Sequence, residues 1–321
     1  MKALVGIDIG GTNTKIGIIQ FGERFKVLQQ TSIPTQAEDP ANLYMQRIAA
    51  ATSDLIKAAG SPPVAGVGVG CPGLINPWQG IVGRSPNMAN MENFPLKDKL
   101  AKALGLPVEI QNDANAAVLG EWLFSPQSKG INNLVIFTLG TGVGGGVVCD
   151  GHLLVGADNA ATELGHLKVE WNNGAQCGCG RKGCVEAYAG AAGIARIALQ
   201  QIVASGGKTS LQPEGITTKD ISIAAAKGDA VAREILKKVG EYLGRAVCLV
   251  IETFNPEKVV IGGGASAAMD WLRPGIDASI AQYASFALTR ERAQIERSAF
   301  PDDINIIGAA ATYLNAHPEL K

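Results

Sequence analysis

The chain has 321 residues, of which 46% are hydrophobic, 18% are charged and 40 are glycine. A single hydrophobic core rarely grows beyond about 250–300 residues, so this composition favours two globular lobes and argues against disorder. The formal net charge of -1 provides no basic surface for a phosphate backbone, which makes nucleic acid a poor partner. No apolar run is long enough to span a membrane and no cleavable apolar leader is apparent, so we expect a cytoplasmic protein.

The first part of the chain alternates apolar strands with one amphipathic helix. Strands are predicted at residues 3–9, 16–19 and 64–70, and a helix at 41–59. The turn DIGGTNTK, residues 8–15, joins the first two strands. This order of elements predicts an α/β lobe with a parallel or mixed sheet.

The second part follows an alanine-rich stretch, residues 114–124, that predicts a helix. A strand at 134–140 then ends in a glycine turn, which repeats the strand–turn–strand pattern of the N-terminus. Further helices are predicted at 185–205, 219–227 and 229–254, a buried strand at 258–264, and a last helix from about 307 to 315. We therefore expect two duplicated lobes, residues 1–115 completed by the C-terminal helix at about 305–321, and residues 116–304.

Both glycine turns are candidate phosphate-binding loops, each between two antiparallel strands. Glycine lets backbone N–H groups approach phosphate oxygens closely, and Asp8 at a strand end is placed to order a magnesium shell. An ordinary glycine hairpin is the alternative for the first turn taken alone. The second turn, residues 139–146, also matches the GxGxxG dinucleotide fingerprint, but its glycines lead into a β-rich segment rather than a helix, so we reject that interpretation.

Asn112 and Asp113 stand where an apolar strand meets a helix. An Asp at this place usually caps the helix, because its side chain accepts hydrogen bonds from the first backbone N–H groups. A general base that faces a substrate hydroxyl needs the same location. The two interpretations do not exclude one another.

A compact group of His and Cys residues predicts a metal site. One histidine precedes a CxCxxxxC loop, which together supply His166, Cys177, Cys179 and Cys184. One His and three Cys are a common tetrahedral zinc set, and four protein ligands leave no open position, so the zinc would be structural. Reduced cysteines without metal remain the alternative.

Several other residues are consistent either with a ligand site or with an ordinary structural role. Glu163 and Glu186 bracket the cysteine loop, which would hold their carboxylates in place for sugar hydroxyls, although isolated glutamates are usually solvated. Gly73 and Asn87 could line a cleft, and turn chemistry explains them nearly as well. The glycines at 262–264 fit either a nucleotide contact or a packing turn.

The motifs DIGGTNTK, CPG, NDANAA, LGTGVGGG, ELGH, CGCGRKGCVE and VVIGGG occur in the order and rough spacing of the ROK family of sugar kinases. The resemblance covers almost the whole chain, and ELGH followed by CGCGRKGC is its most specific part. It implies the two-lobed, actin-like ATPase fold of the ribonuclease H-like, hexokinase type, with duplicated lobes and an interlobe cleft. The chain is most similar to the bacterial glucokinases of the family, which implies ATP-dependent phosphorylation of a hexose, with D-glucose at its 6-hydroxyl the first expectation.

The resemblance also implies residue roles. Asp8 supports Mg²⁺ through water, and Asp113 is the catalytic base. The contacts with ATP fall to Gly10, Gly11, Thr12, Asn13, Lys15, Gly140, Thr141, Gly142, Gly262 and Gly263. The sugar is held by Gly73, Asn87, Asn112, Asp113, Glu163, His166 and Glu186. A structural Zn²⁺ is bound by His166, Cys177, Cys179 and Cys184, with the second ring nitrogen of His166 toward the sugar.

Other functions stay open at this point. ELGH also occurs in N-acetylhexosamine kinases, and Thr162 stands where glucokinases of the family often have Gly, so N-acetylmannosamine, N-acetylglucosamine or fructose could be the substrate. A non-catalytic sugar sensor would not need Asp113, a polyphosphate donor would need a basic groove, and a zinc hydrolase would need an open coordination position. Because the phosphate motif stands at the N-terminus, we expect none of the winged-helix domain that the family's repressors carry. We expect a homodimer or homotetramer.

Overall fold

The structure is a computed structural model that describes residues 2–22, 25–83, 91–285 and 293–320. The chain divides into two compact units. The first unit comprises Met1–Gly130, Leu153–Ala161 and Asp302–Lys321, and the second comprises Ile131–His152 and Thr162–Pro301. The boundary expected between residues 115 and 116 falls inside a helix of the first unit.

Helices and strands alternate along the described residues. In chain order, the helices are α1 (Ala41–Ala58), α2 (Leu96–Leu104), α3 (Asp113–Phe124), α4 (Glu186–Ala189), α5 (Ala191–Ala204), α6 (Thr218–Ala226), α7 (Ala230–Phe254), α8 (Met269–Tyr283) and α9 (Ile304–Ala316). The strands are β1 (Lys2–Ile9), β2 (Asn13–Phe21), β3 (Lys26–Pro34), β4 (Val64–Cys71), β5 (Ile75–Asn76), β6 (Ile81–Val82), β7 (Val108–Asn112), β8 (Leu134–Leu139), β9 (Val143–Cys149), β10 (His152–Leu153), β11 (Lys258–Gly262) and β12 (Gln294–Arg297).

The first unit is built on a five-stranded mixed sheet with the order β3-β2-β1-β4-β7. β1 runs antiparallel to β2 and parallel to β4, and β4 runs parallel to β7. Because the carboxyl ends of parallel strands meet at one edge of a sheet, Ile9, Cys71 and Asn112 end their strands at the same edge. That edge is where the candidate site of this unit lies.

Different helices cover the two faces of this sheet, since successive strand residues point to opposite sides. On one face, Val5 and Ile7 of β1 lie in a buried cluster with Ile48 of α1 and Leu100 of α2. On the other face, Leu4 of β1 packs with residues of α9. The sheet is therefore buried on both sides, as expected for a layered α/β unit.

Glycines on β1 and β4 allow α9 to lie directly on the sheet. A Cβ atom at Gly6 would stand 1.9 Å from the carbonyl oxygen of Ile306, and one at Gly68 would stand 1.8 Å from that of Ala309. No side chain fits in that space, so backbone meets backbone. The helix axis is thereby held closer to the strands than Ala or Val would permit.

Replacing Gly68 with Ala should destabilise the first unit by at least about 3 kcal/mol, because the new methyl group must displace the backbone of α9. Gly70→Ala on the same strand is the matched control, since its Cβ would meet Ala116 Cβ at an ordinary 3.6 Å. Urea unfolding followed by far-UV circular dichroism compares the two variants. Equal losses of stability would contradict the close approach of α9.

The second unit repeats this arrangement in a sheet of order β10-β9-β8-β11-β12. β8 runs antiparallel to β9 and parallel to β11, and β11 runs parallel to β12. The predicted placement of each glycine turn between antiparallel strands is confirmed, because one turn joins β1 to β2 and the other joins β8 to β9. The shared order of strand directions agrees with the expected duplication.

Most predicted elements are present with small shifts at their ends. The helix expected at 185–205 is two helices, α4 and α5, which Gly190 separates in an extended conformation. The sequence pattern does not predict β3, α2 or β12. Among the described residues, no helix is both long enough and apolar enough to cross a membrane.

Candidate functional site

Asp8 lies at the carboxyl edge of the first sheet and is almost completely buried, with 7% of its surface exposed. Its Oδ2 accepts a hydrogen bond of 3.0 Å from Asn305 Nδ2 at the start of α9. Burial raises the pKa of Asp8 to about 6, which the Asn305 bond partly opposes and the nearby Asp113 charge reinforces. Sequence reasoning missed Asn305, because nothing local marks a residue that contacts Asp8 from the far end of the chain.

The raised pKa of Asp8 has a consequence for stability. A carboxyl group whose pKa rises on folding holds its proton more tightly in the folded state, so folding stability falls as pH increases from about 4 to about 6. Above that window the buried charge costs up to about 3 kcal/mol. Mg²⁺ or other cations nearby would reduce this cost.

Asp8→Asn should therefore make the protein more stable than the wild type above pH 6, by about 1–3 kcal/mol in the absence of divalent cations. The difference should shrink below pH 4, where the wild-type carboxyl is protonated in both states. Urea unfolding at pH 4 and pH 8 with EDTA measures both values. A variant that is less stable than the wild type at pH 8 would rule out a destabilising charge at Asp8.

Asn112 takes the capping role that was considered for Asp113. Its Oδ1 accepts hydrogen bonds from the backbone N–H groups of Ala114 at 2.9 Å and Asn115 at 3.2 Å. Its Nδ2 donates to the carbonyl oxygen of Gly73 at 3.2 Å, which ties the CPG turn to the start of α3. Two residues assigned to the sugar are thus brought together.

Asp113 is the first residue of α3 and lies near Asp8. Its Oδ1 accepts a hydrogen bond of 2.9 Å from the Ala114 N–H, and burial raises the pKa of the carboxyl group. Gly70 separates the two acids: a Cβ there would stand 3.6 Å from the Asp113 Cα and 3.9 Å from the Asp8 Oδ1. This edge of the sheet therefore holds two carboxyl groups in a poorly solvated place, a pattern common at functional sites.

The first glycine turn presents its tip to solvent. Gly10 N–H donates to the Asn13 carbonyl at 3.1 Å, and Thr35 Oγ1 donates to the Gly10 carbonyl at 2.6 Å. Gly11, Thr12 and Asn13 between these bonds are exposed. Lys15 is also exposed and pairs across the sheet with Asp8.

The second glycine turn is tied to the start of α5. Gly140 N–H donates to the Gly142 carbonyl at 3.0 Å, which closes the turn. Ala191 N–H donates to the carbonyl oxygens of Gly140 at 3.1 Å and Thr141 at 3.2 Å. Gly140 and Thr141 are exposed, so their backbone is accessible to a ligand.

Four predicted metal ligands of the second unit converge. The ligand atoms of His166, Cys177, Cys179 and Cys184 all lie within 4.8 Å of one another. The Cys179 and Cys184 sulfurs are 3.7 Å apart, and the His166 Nδ1 lies 3.8 Å from the Cys177 Sγ. Tetrahedral zinc with Zn–S bonds of about 2.3 Å places two sulfurs about 3.8 Å apart, so this donor set fits the ion in type, number and spacing.

Backbone bonds and glycines shape the cysteine loop. Cys177 N–H donates to the Arg181 carbonyl at 2.8 Å, and Gly180 N–H donates back to the Cys177 carbonyl at 3.0 Å. Gly183 has a φ of 78°, and a Cβ there would lie 1.9 Å from the Glu170 carbonyl oxygen. Only glycine fits this position, which explains one of the glycines in CGCGRKGC.

Lys168 adds a positive charge to the cysteine cluster. Its Nζ lies 2.8 Å from the Cys184 Sγ. Three thiolates and a neutral imidazole would leave a bound Zn²⁺ with one net negative charge, which this ammonium group offsets. The sequence pattern did not single out Lys168, because it lies outside the cysteine motif.

Glu163 and His166 lie on a short segment that packs against β9. Glu163 precedes a single 3₁₀ turn, Leu164–His166, and is exposed. A Cβ at Gly165 would stand 1.8 Å from the Val143 carbonyl oxygen. Thr162, just before Glu163, has a φ of 64°, a left-handed conformation that is strained for a β-branched residue.

Glu186 is the first residue of α4 and contacts two other parts of the second unit. Its Oε2 accepts a hydrogen bond of 3.0 Å from the Val143 N–H, next to the glycine turn. Its Oε1 lies 3.2 Å from the Cys177 Sγ. The structure thus brings Glu186 to the cysteine cluster and to the turn at 140–142. Glu163 is linked to the cluster by the backbone hydrogen bond that its carbonyl oxygen accepts from the His166 N–H.

A cavity of about 750 Å³ lies in the second unit beside the glycine turn. Its wall includes Gly140, Ala191, Ile216, Thr217, Gly264 and Trp271. Gly262 and Gly263 precede this wall, and Gly263 packs against β8, where a Cβ would stand 2.4 Å from the Leu139 carbonyl oxygen. Sequence reasoning missed Thr217, which caps the start of α6, and Trp271, which lies in α8. Asn87 lies outside the described residues.

Comparison with known proteins places these features in a family. The ROK family model matches residues 4–316. A glucokinase of Thermotoga maritima is 39% identical over 314 residues, which cover 96% of this chain and 96% of that protein. An N-acetylmannosamine kinase of Salmonella newport is 32% identical over 271 residues, which cover 84% of this chain and 85% of that protein.

A solved structure supports the same placement. The crystal structure of a ROK family glucokinase from Streptomyces griseus in complex with glucose and AMPPNP has 31% sequence identity and a TM-score of 0.80, and it covers 96% of this chain and 98% of that one. The fold is therefore the expected α/β, actin-like sugar-kinase fold. The chain belongs to the ROK family.

Proposed function

We propose that the protein is an ATP-dependent glucokinase, which transfers the γ-phosphoryl group of ATP to the 6-hydroxyl of D-glucose. The observation that carries the proposal is the position of Asp113, whose half-buried carboxyl lies near Asp8 while Asn112 caps the helix in its place. The near full-length similarity to glucokinases supports glucose as the acceptor.

In the proposed mechanism, Asp113 accepts the proton of the 6-hydroxyl as the sugar oxygen attacks the γ-phosphorus in line. The new O–P bond forms as the bond to the β-phosphate oxygen breaks, and ADP leaves with that electron pair. Burial raises the pKa of Asp113, which makes its carboxylate a stronger base than a solvated aspartate. Its contact with the Ala114 N–H holds the carboxyl in one orientation.

Phosphate binding would fall to the two glycine turns. The exposed N–H groups around Gly11, Thr12 and Thr141 are donors for phosphate oxygens and need little reorganisation. Asp8 is the residue that would hold Mg²⁺, through water, and Asn305 fixes the direction of its carboxylate. A bound Mg²⁺ would neutralise charge on the transferred phosphoryl group.

The nucleoside of ATP would occupy the cavity of the second unit. Its volume of about 750 Å³ is in the range of pockets for ligands of this size. Gly140 of the phosphate turn forms part of its wall, so a base bound there continues directly into a phosphate chain. Trp271 and Ile216 provide apolar surface for the base, and Thr217 provides a hydroxyl.

The residues assigned to the sugar form one group within each unit. In the first unit, the Asn112 amide donates a hydrogen bond to the Gly73 carbonyl oxygen, and Asp113 follows Asn112 in the chain. In the second unit, Glu186 contacts the cysteine cluster and Glu163 lies on the same short segment as His166. The Nδ1 of His166 faces Cys177, which leaves its Nε2 for a hydroxyl. The cluster itself would bind a structural Zn²⁺ that fixes the directions of these side chains.

Asp113→Asn should lower kcat by at least about 10³-fold while the glucose dissociation constant changes by less than about fivefold, because the amide keeps the shape and loses the base. ADP release with MgATP measures turnover, and calorimetry measures binding. Asp98→Asn, in the first turn of α2, is the matched control and should keep wild-type turnover. Undiminished turnover in Asp113→Asn would refute the assignment.

The same assay with a panel of sugars identifies the acceptor. Glucose, mannose, fructose, N-acetylglucosamine and N-acetylmannosamine should be compared by kcat/KM, with glucose expected to lead. A preference for N-acetylmannosamine would assign the chain to the activity of its Salmonella relative. Sugar binding without turnover on any of them would favour a sensor over a kinase.

The purified protein should contain about one zinc per chain by mass spectrometry of its metals. Cys179→Ser should lose this zinc and lower the melting temperature, because the metal would link His166 to the cysteine loop only when all four ligands are present. Cys149→Ser, which changes an exposed cysteine outside the cluster, is the control and should keep both. Wild-type protein that is free of metal yet equally stable would contradict a structural zinc.

A further inference from the structure

The carboxylate of Glu186 contacts the backbone of the second glycine turn as well as the cysteine cluster. Its Oε2 accepts the Val143 N–H at 3.0 Å, and Val143 is the residue that follows Gly142. Val143 is buried, so water is not available to replace Glu186 as the acceptor of this N–H. A charged acceptor makes such a bond stronger than one between neutral groups.

Two glycines lie where α4 and α5 approach the glycine turn. A Cβ at Gly142 would stand 2.4 Å from the Glu186 Oε2, so a larger residue there would displace the carboxylate from its present position. A Cβ at Gly190 would stand 3.2 Å from the Thr141 carbonyl oxygen and 3.3 Å from the Gly142 Cα. The helical pair α4–α5 therefore meets the turn at two places, the Glu186 side chain and the backbone around Gly190 and Ala191.

We propose that Glu186 is a positioning residue for the nucleotide, in addition to any contact with sugar. Through its Oε2 it holds residues 140–143 in the conformation that receives the phosphates of ATP. This inference rests on the proposed kinase function, because it assigns the turn to phosphate. It differs from a role in sugar binding, which gives Glu186 no influence on the nucleotide when sugar is absent.

The geometry explains how one carboxylate can serve both ligands. Its two oxygens face different groups, since Oε2 binds the Val143 N–H and Oε1 points to the side of Cys177. A sugar hydroxyl on Oε1 would restrict rotation of the carboxylate and so stabilise the bond from Oε2. By linkage, sugar and nucleotide would then strengthen each other's binding through the turn.

The test is calorimetric titration of MgADP in the absence of sugar. Glu186→Ala should weaken MgADP binding by at least about fivefold, which corresponds to the loss of one charge-assisted hydrogen bond. Glu186→Gln keeps an oxygen that can accept the Val143 N–H, so its affinity should stay within about threefold of the wild type. Glu163→Ala removes the other glutamate assigned to the sugar and should leave the MgADP affinity within about twofold.

Each outcome separates this inference from the function on which it rests. A wild-type protein that binds no MgADP refutes the kinase proposal, whereas unchanged affinity in Glu186→Ala refutes only the positioning role. Metal content and far-UV circular dichroism verify that the variant is folded. If Glu186→Ala fails that check, Glu186→Asp replaces it, since the shorter side chain keeps the charge but withdraws it from Val143. Wild-type MgADP affinity in Glu186→Asp would likewise refute the inference.

Discussion

The direct contact of α9 with the first sheet is the constraint on which the first unit depends. Gly6 and Gly68 leave no side chain between the strands and the helix, so the backbone of α9 rests on β1 and β4. The same helix meets α3 as closely, because a Cβ at Gly308 would stand 2.4 Å from the Ala116 carbonyl oxygen. A helix from the end of the chain thereby determines the distance between the sheet and α3.

The candidate site of this unit follows from that contact. With α9 held against β1, its second residue, Asn305, reaches the Asp8 carboxylate. With α3 held against α9, Asp113 is kept at the carboxyl edge near Asp8. The same packing buries Asp8 and half-buries Asp113, and the loss of solvent raises the pKa of each carboxyl group. Close packing therefore provides two acids of altered pKa at one edge, at a cost to stability.

The second unit uses close backbone contacts in the same way, around a cluster of thiols. Gly165 seats the Glu163–His166 segment on β9, and Gly183 lets the cysteine loop turn beneath Glu170. The four donor atoms converge because these two segments are held by neighbouring backbone. Glu186 then extends from the cluster to the glycine turn, so one side chain contacts both the cysteine loop and the turn.

The sequence by itself determined the features that depend on local pattern. The sequence predicted the strands and helices, the two glycine turns between antiparallel strands, and the donor set of His166, Cys177, Cys179 and Cys184. Each of these depends on hydrophobic periodicity, turn residues or ligand spacing within a short segment. The family resemblance extended these to an actin-like sugar kinase, which the comparisons support.

Only the tertiary structure decided which residues meet across long stretches of chain. Asn305 is far from Asp8 in sequence, and Thr217 and Trp271 line the cavity from the cap of α6 and from α8, so no local signal marks them. The choice of Asn112 rather than Asp113 as the helix cap depends on backbone dihedral angles that both residue types tolerate. Local chemistry is encoded in short segments, whereas these contacts arise only when the segments pack and their buried polar groups find partners.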